Sequence, residues 1–106
     1  MDTLSREELI RYSRHILLPE IDLEGQMKLK NSRVLVCGAG GLGSPALMYL
    51  AAAGVGTIGI AEFDDVELSN LQRQVLFESN QVGQSKLAAA AARLQNLNST
   101  INIKQH

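Results

Sequence analysis

The sequence predicts an α/β fold, with N-terminal helices followed by a parallel sheet of about three strands. Three observations carry that expectation. Val34-Leu35-Val36-Cys37 is a short apolar run without alternation, the pattern of a strand covered on both faces. It runs directly into VCGAGGLGSP, residues 36–45, in which Gly38, Gly40 and Gly43 form GxGxxG. A helical stretch through Met48, Leu50 and Ala53 then stops at Gly54, and Thr57 to Glu62 reads as a second strand. Strand, glycine turn, helix and strand make a βαβ unit, whose crossover is expected to be right-handed.

The other elements follow in chain order. Ser5-Arg6-Glu7-Glu8 is a capping-box pattern, S-x-x-E, in which serine and glutamate satisfy each other's end of a helix. Behind it Leu9, Tyr12 and Ile16 recur at helical spacing, while Arg11 and Arg14 lie on another face. One helix is expected here, ending before Pro19. A shorter helix over Leu23 to Leu29 leads to the turn signal Asn31-Ser32. Ser44-Pro45 stands near a helix start, where proline is tolerated. Residues 64–80 are polar and carry no periodic signal. Ser85 to Asn96 reads as a helix with Leu87, Ala91 and Leu94 on its inner stripe, and Ile101 to Lys104 alternates like a third strand. The alanines at 88–92 suit close helix packing. Neither repeats nor an interdomain linker interrupt the chain.

Composition bounds the chemistry. A chain of 106 residues is enough for one small domain. With 4 % aromatic residues and no Trp, the core must be aliphatic and alanine-rich. A net charge of −1 gives no global pull toward nucleic acid or anionic membrane, so any anion site must be local. No apolar run approaches the roughly 18 residues of a membrane span. The polar start MDTLSREELI is unlike a signal peptide, which makes the cytoplasm the expected compartment. The single cysteine, Cys37, leaves no internal disulfide and no multi-cysteine zinc site within these residues; its place inside a strand predicts a core residue rather than a nucleophile. His15 and His106 show no ligand spacing.

The glycines of a Rossmann-like unit have separable tasks. Gly38 permits the tight turn off the strand, Gly40 lets backbone approach a phosphate, and Gly43 lets helix and strand pack closely. Backbone N–H groups and the helix dipole favour a phosphate at that helix start. Glu62 stands 19 residues past Gly43, about where an acid would accept hydrogen bonds from ribose hydroxyls. These features admit a dinucleotide that stays whole during hydride transfer, an ATP that is cleaved, or a non-catalytic binding or dimerisation module whose glycines only make a compact turn. The GxxxxGK[ST] of a P-loop is missing, so a triphosphate would need cations from elsewhere. The segment after Glu62 offers them. Arg73 and Lys86 are candidate cations, Asn70 and Gln74 candidate polar clamps, and Asp64 a candidate carboxylate near phosphates or magnesium. By spacing alone these residues equally fit a solvated loop and an ordinary helix-start lysine.

The chain resembles the N-terminal part of the ubiquitin-activating-enzyme-like superfamily, and within it the bacterial molybdopterin-synthase and thiamine sulfur-carrier adenylyltransferases. The match is carried by RYSRHILL at 11–18, GxGGLG at 38–43, AGVG at 53–56, DxVxLSNLQRQ at 64–74 and VGxxK at 82–86, and it covers essentially all 106 residues. The resemblance implies adenylation by ATP of the C-terminal glycine of a ubiquitin-like sulfur-carrier protein ending in Gly-Gly. An acyl-adenylate and pyrophosphate are formed, and sulfur or a thiol later replaces AMP. It also implies that Gly41 lies against the nucleotide, that Glu62 binds the ribose, and that Asn70, Arg73 and Lys86 contact the phosphates. An arginine matching Arg14 reaches the partner subunit's nucleotide site in a homodimer.

Two departures qualify the match. The family usually has aspartate at the position of Glu62, and its members run to well over twice this length. On that reading residues 1–32 are a helical arm, and residues 33–106 are the N-terminal part of an ATP-binding domain. The downstream aspartate that binds magnesium, the catalytic cysteine and the paired-CxxC zinc site, where present, would lie beyond it. Such a piece would be inactive alone and, if stable, would dimerise or rearrange to cover an open sheet edge.

Overall fold

The computed structural model describes residues 3–106. The first two residues of the arm expected over 1–32 therefore lie outside the described residues. The capping box forms as read: the Ser5 hydroxyl accepts the Glu8 amide at 3.1 Å and Glu8 Oε1 accepts the Ser5 amide at 2.9 Å, opening α1, Arg6–Arg11. The single helix expected up to Pro19 is instead two. Tyr12 leaves helical geometry (φ −102°, ψ 14°), and α2, Ser13–Ile16, restarts after it. The break turns the Tyr12 ring inward. Its hydroxyl accepts from Asn98 Nδ2 at 2.7 Å and lies 3.2 Å from Thr100 Oγ1. Leu9, which recurs with Tyr12 at helical spacing, stays exposed.

Helix α3, Asp22–Lys30, runs one residue further at each end than the expected Leu23–Leu29. Its buried Gln26 donates to the Ala53 carbonyl at 2.9 Å and pairs with His15 Nδ1 at 3.1 Å. The arm thereby grips the C-terminal end of α4, Gly43–Ala53. Gly54, which ends α4 in the left-handed region (φ +93°), must be glycine on two counts. A Cβ there would be strained, and it would meet the Tyr12 ring and the Gln26 amide at 2.6–2.7 Å.

Strands β1 (Arg33–Cys37), β2 (Thr57–Ala61) and β3 (Asn102–Gln105) form a parallel sheet in the order β1-β2-β3, with Cys37 opposite Ala61. Helix α4 and α5, Lys86–Leu97, pack together on one face. Leu47, Ala51, Ala90 and Leu94 meet Ile58 and Ile60 there in an apolar core. This aliphatic and alanine-rich core is what the composition demanded. No described element covers the other face, and β1 alternates exposed and half-buried residues where a fully covered strand was expected. Leu35 and Cys37 point to that open face, so Cys37 is exposed and not the core residue the sequence led us to expect. The reason is geometric: successive right-handed crossovers in one direction put both helices on the same side. A shallow hollow lined by Arg33, Leu35, Thr57, Lys104 and His106 marks the open side.

Candidate functional site

At the C-terminal ends of β1 and β2 the glycine loop is shaped by its own backbone. The Gly38 amide donates to the Ala61 carbonyl at 2.8 Å, and Gly38 takes φ +95° as the chain turns off the strand. Gly43 opens α4 directly against that turn. A Cβ at Gly43 would run into the Gly38 carbonyl, meeting its carbon at 2.9 Å. The helix and strand can approach only because Gly43 has none. Gly40 and Gly41 are different. A Cβ at Gly40 would sit 3.6 Å from Gln74 Nε2, and one at Gly41 3.7 Å from Arg73 Cδ, both ordinary contacts. Gly41 is exposed, so its backbone is open to an incoming ligand.

The polar segment after β2 folds back over this loop. Val66, Leu76 and Phe77 are buried and pin it to the core, with one short 3₁₀ turn, Leu68–Asn70, between them and another, Ser79–Gln81, after them. The buried Ser44 hydroxyl accepts the Leu76 amide at 2.8 Å, tying the start of α4 to the end of SNLQRQ. Sequence reasoning missed that tie. Its only signal was a serine in the helix's first turn. The Asn70 carbonyl takes the amides of Arg73 at 3.1 Å and Gln74 at 2.8 Å, closing the turn that sets Arg73 and Gln74 over Gly41 and Gly40. The Arg73 guanidinium is exposed and donates to the Ser69 carbonyl at 3.3 Å. Gln74 is only 4 % exposed, and its Oε1 has no hydrogen-bond partner among the described residues.

Glu62 follows β2 and turns its carboxylate onto backbone amides. Oε1 accepts from Ala39 at 2.8 Å; Oε2 accepts from Phe63 and Asp64, both at 2.9 Å. Burial pushes this carboxyl's pKa up, but the three amides and the positive charge of Lys86 outweigh it and hold the group below its ordinary range. Lys86 is the first residue of α5 and is 5 % exposed. Its amide donates to the Asp64 carbonyl at 3.0 Å beside an antiparallel bridge between Asp65 and Ser85. Among the sequence candidates, then, Gly40, Gly41, Arg73 and Gln74 converge, with Asn70 holding their turn. Glu62, Asp64 and Lys86 form the adjoining group.

Arg14 does not join them. It is exposed on α2, part of the arm that grips the far end of α4. The 11-residue α4, about 16 Å long, separates that end from the glycine loop.

This arrangement suits a nucleoside polyphosphate. The helix start and glycine backbone supply donors, Arg73 and Lys86 supply charge, and the orphaned Gln74 carbonyl wants a donor from a ligand or ordered water. For magnesium the fit is incomplete. Among the described residues no group of three or more His, Cys, Asp or Glu is gathered to hold a metal ion.

The ThiF family profile matches residues 12–106. The chain belongs to the ThiF family. The likeness read from the glycine loop and SNLQRQ is thus borne out, as is the α/β class. This ThiF-family chain is 56 % identical over 103 residues to a probable adenylyltransferase/sulfurtransferase, MoeZ, of Mycobacterium tuberculosis, covering 97 % of this chain and 26 % of that one. It is 53 % identical over 102 residues to a probable molybdopterin-synthase adenylyltransferase of Porphyra purpurea, covering 96 % and 27 %. The chain spans about a quarter of the length of these curated relatives. Among solved structures, that of PaaA superimposes with a TM-score of 0.91 at 38 % identity, covering 99 % of this chain and 35 % of that one. Escherichia coli MccB with ATP gives 0.82 at 36 % identity, covering 91 % and 30 %. Adenylyl transfer is therefore the chemistry its relatives are named for.

Proposed function

We propose that this chain is the ATP-binding part of an adenylyltransferase that activates the C-terminal glycine of a ubiquitin-like sulfur-carrier protein. The observation that carries the reading is the seating of Arg73 and Gln74 over Gly41 and Gly40, beside the Glu62 carboxylate that holds the Ala39 amide of the same loop. ATP supplies an electrophilic α-phosphorus and a pyrophosphate leaving group. In the proposed step a carboxylate oxygen of the carrier's terminal glycine bonds to that phosphorus. The bond from the phosphorus to the bridging oxygen of pyrophosphate breaks, and an acyl-adenylate results.

The chain's own residues have distinct parts in this. Backbone amides from Gly40 to Gly43 face the phosphates, with Gly40 and Gly41 leaving room for close approach. Glu62 accepts from the ribose. Arg73 and Lys86 neutralise charge that builds on the departing pyrophosphate, and Asn70 and Gln74 orient it. Asp64 stands exposed at the rim beside the phosphates. Arg14 acts across a homodimer, in the partner's site. Its exposure on α2, away from the chain's own glycine loop, supports that assignment. We further propose that residues 33–106 form this ATP-binding part with 1–32 as its arm, that the chain acts in the cytoplasm, and that it is inactive alone. Molybdopterin and thiamine sulfur transfer are the pathways this chemistry serves.

Two measurements test the reading. Mg-ATP should raise the chain's melting temperature, whereas NADH should not; the reverse would favour an oxidoreductase domain. When the chain is supplied with the part of a relative that lies downstream of the matched region, pyrophosphate–ATP exchange should appear only with a carrier ending in Gly-Gly. Exchange indifferent to the carrier would remove the proposed substrate.

A further inference from the structure

Glu62 is more heavily committed than contact with a ribose requires. Its carboxylate has about four acceptor positions, and three are filled by the amides of Ala39, Phe63 and Asp64. The one position left is on Oε1, because Oε2 already takes two amides. Ala39 is fully buried within GxGxxG, so the Oε1 contact fastens the glycine loop to the end of β2. The Asp64 side of the same contact continues into α5, through the Asp64 carbonyl and the Lys86 amide.

We infer that Glu62 is a clasp that fixes the glycine loop before nucleotide arrives and, with one acceptor position free, selects the sugar through a single ribose hydroxyl. The sugar half rests on the ATP-binding reading above; the clasp half does not. An acid gripping both vicinal hydroxyls needs two free positions. Here it would have to release an amide, and freeing the Ala39 N–H leaves a buried donor without a partner. The glutamate side chain matters for this. An aspartate would withdraw the carboxylate by about one bond length, away from Ala39, and free a second acceptor position.

The test uses the 106-residue chain with its Glu62→Ala and Glu62→Asp variants. Without nucleotide, hydrogen exchange at the Ala39 amide should quicken about tenfold or more in both variants, while the Ile60 amide in β2 keeps its protection. In the unmodified chain, one of 2′-deoxy-ATP and 3′-deoxy-ATP should bind about ten- to a hundredfold more weakly than ATP, the loss of one charge-assisted hydrogen bond. The other should bind within about twofold. In Glu62→Asp both analogues should be weakened. Unchanged Ala39 exchange in the variants overturns the clasp. Equal losses for the two analogues, or no loss for either, overturn selection through one hydroxyl. If ATP itself fails to bind, the nucleotide reading and the sugar half fall together, and the Ala39 exchange rates still decide the clasp.

Discussion

Substituting alanine at Gly43 and at Gly41 separates what the loop needs in order to fold from what it needs in order to bind. At Gly43 the new methyl would run into the Gly38 carbonyl and meet its carbon at 2.9 Å. Its neighbour is backbone, held by the Gly38–Ala61 hydrogen bond, so no side chain can swing aside. Restoring ordinary contact means parting helix and strand by about 1 Å. That puts the cost at the upper end for overpacking, about 3 kcal/mol. For a domain of this size it lowers the melting temperature by roughly 15 °C. Gly41→Ala places its methyl 3.7 Å from the flexible Arg73 stem at an exposed site, and should stay within about 0.5 kcal/mol of the parent. Its effect should appear instead as weakened Mg-ATP binding. Urea unfolding followed by circular dichroism, with ATP titration on each folded variant, measures both. A Gly43→Ala chain as stable as the parent, or a Gly41→Ala chain as unstable as Gly43→Ala, would refute the separation.

Three further outcomes are expected. Arg73→Ala should lower carrier-dependent pyrophosphate exchange on the order of 10²-fold; because the guanidinium is exposed, the melting temperature should barely move. Asn98→Ala removes donors to the Tyr12 hydroxyl and the Ala51 carbonyl and an acceptor for two Thr100 groups, at a fully buried site. Urea unfolding should register a loss of about 2–4 kcal/mol. Glu62 has a folded-state pKa below its unfolded one, so its contribution to stability is complete above the unfolded value of about 4.3 and fades as pH falls through the folded value. Glu62→Gln should therefore flatten the acid side of the stability–pH curve, and an unaltered acid limb would count against the clasp geometry.

The βαβ unit was legible because its signals are local: an apolar run, glycines at fixed offsets, and Gly54 at a helix end. Helix α5 and β3 were placed within one residue of their bounds for the same reason. What escaped was set by partners distant in sequence. The break at Tyr12 is decided by Asn98 and Thr100, which no helical period near residue 12 reveals. The same holds for Cys37, whose exposure follows from both helices taking one side of the sheet. In the site, composition and spacing named Arg73, Gln74 and Lys86 but not how they are held. Val66, Leu76 and Phe77, the buried anchors, are scattered through a stretch too polar to show a period. The full commitment of Glu62 to the backbone was likewise invisible, since its partner Ala39 is one of the unspecified positions of GxGxxG.

The stretch between Val66 and Gly83 is a closed ring in the chain. Its ends are stapled together by the Val66 amide on the Gln84 carbonyl and the Gly83 amide on the Val66 carbonyl, each at 2.8 Å. Events inside the ring need not reach Lys86 or Glu62, which lie outside the staple. Doubling the length of such a ring costs only about 0.6 kcal/mol in closure entropy. Residues spliced in at Ser79 and Asn80, the exposed part of the second 3₁₀ turn, would therefore enlarge the ring without shifting the cation at the start of α5. That makes the turn a natural insertion point, where related sequences could gain or lose length while the cleft keeps its shape.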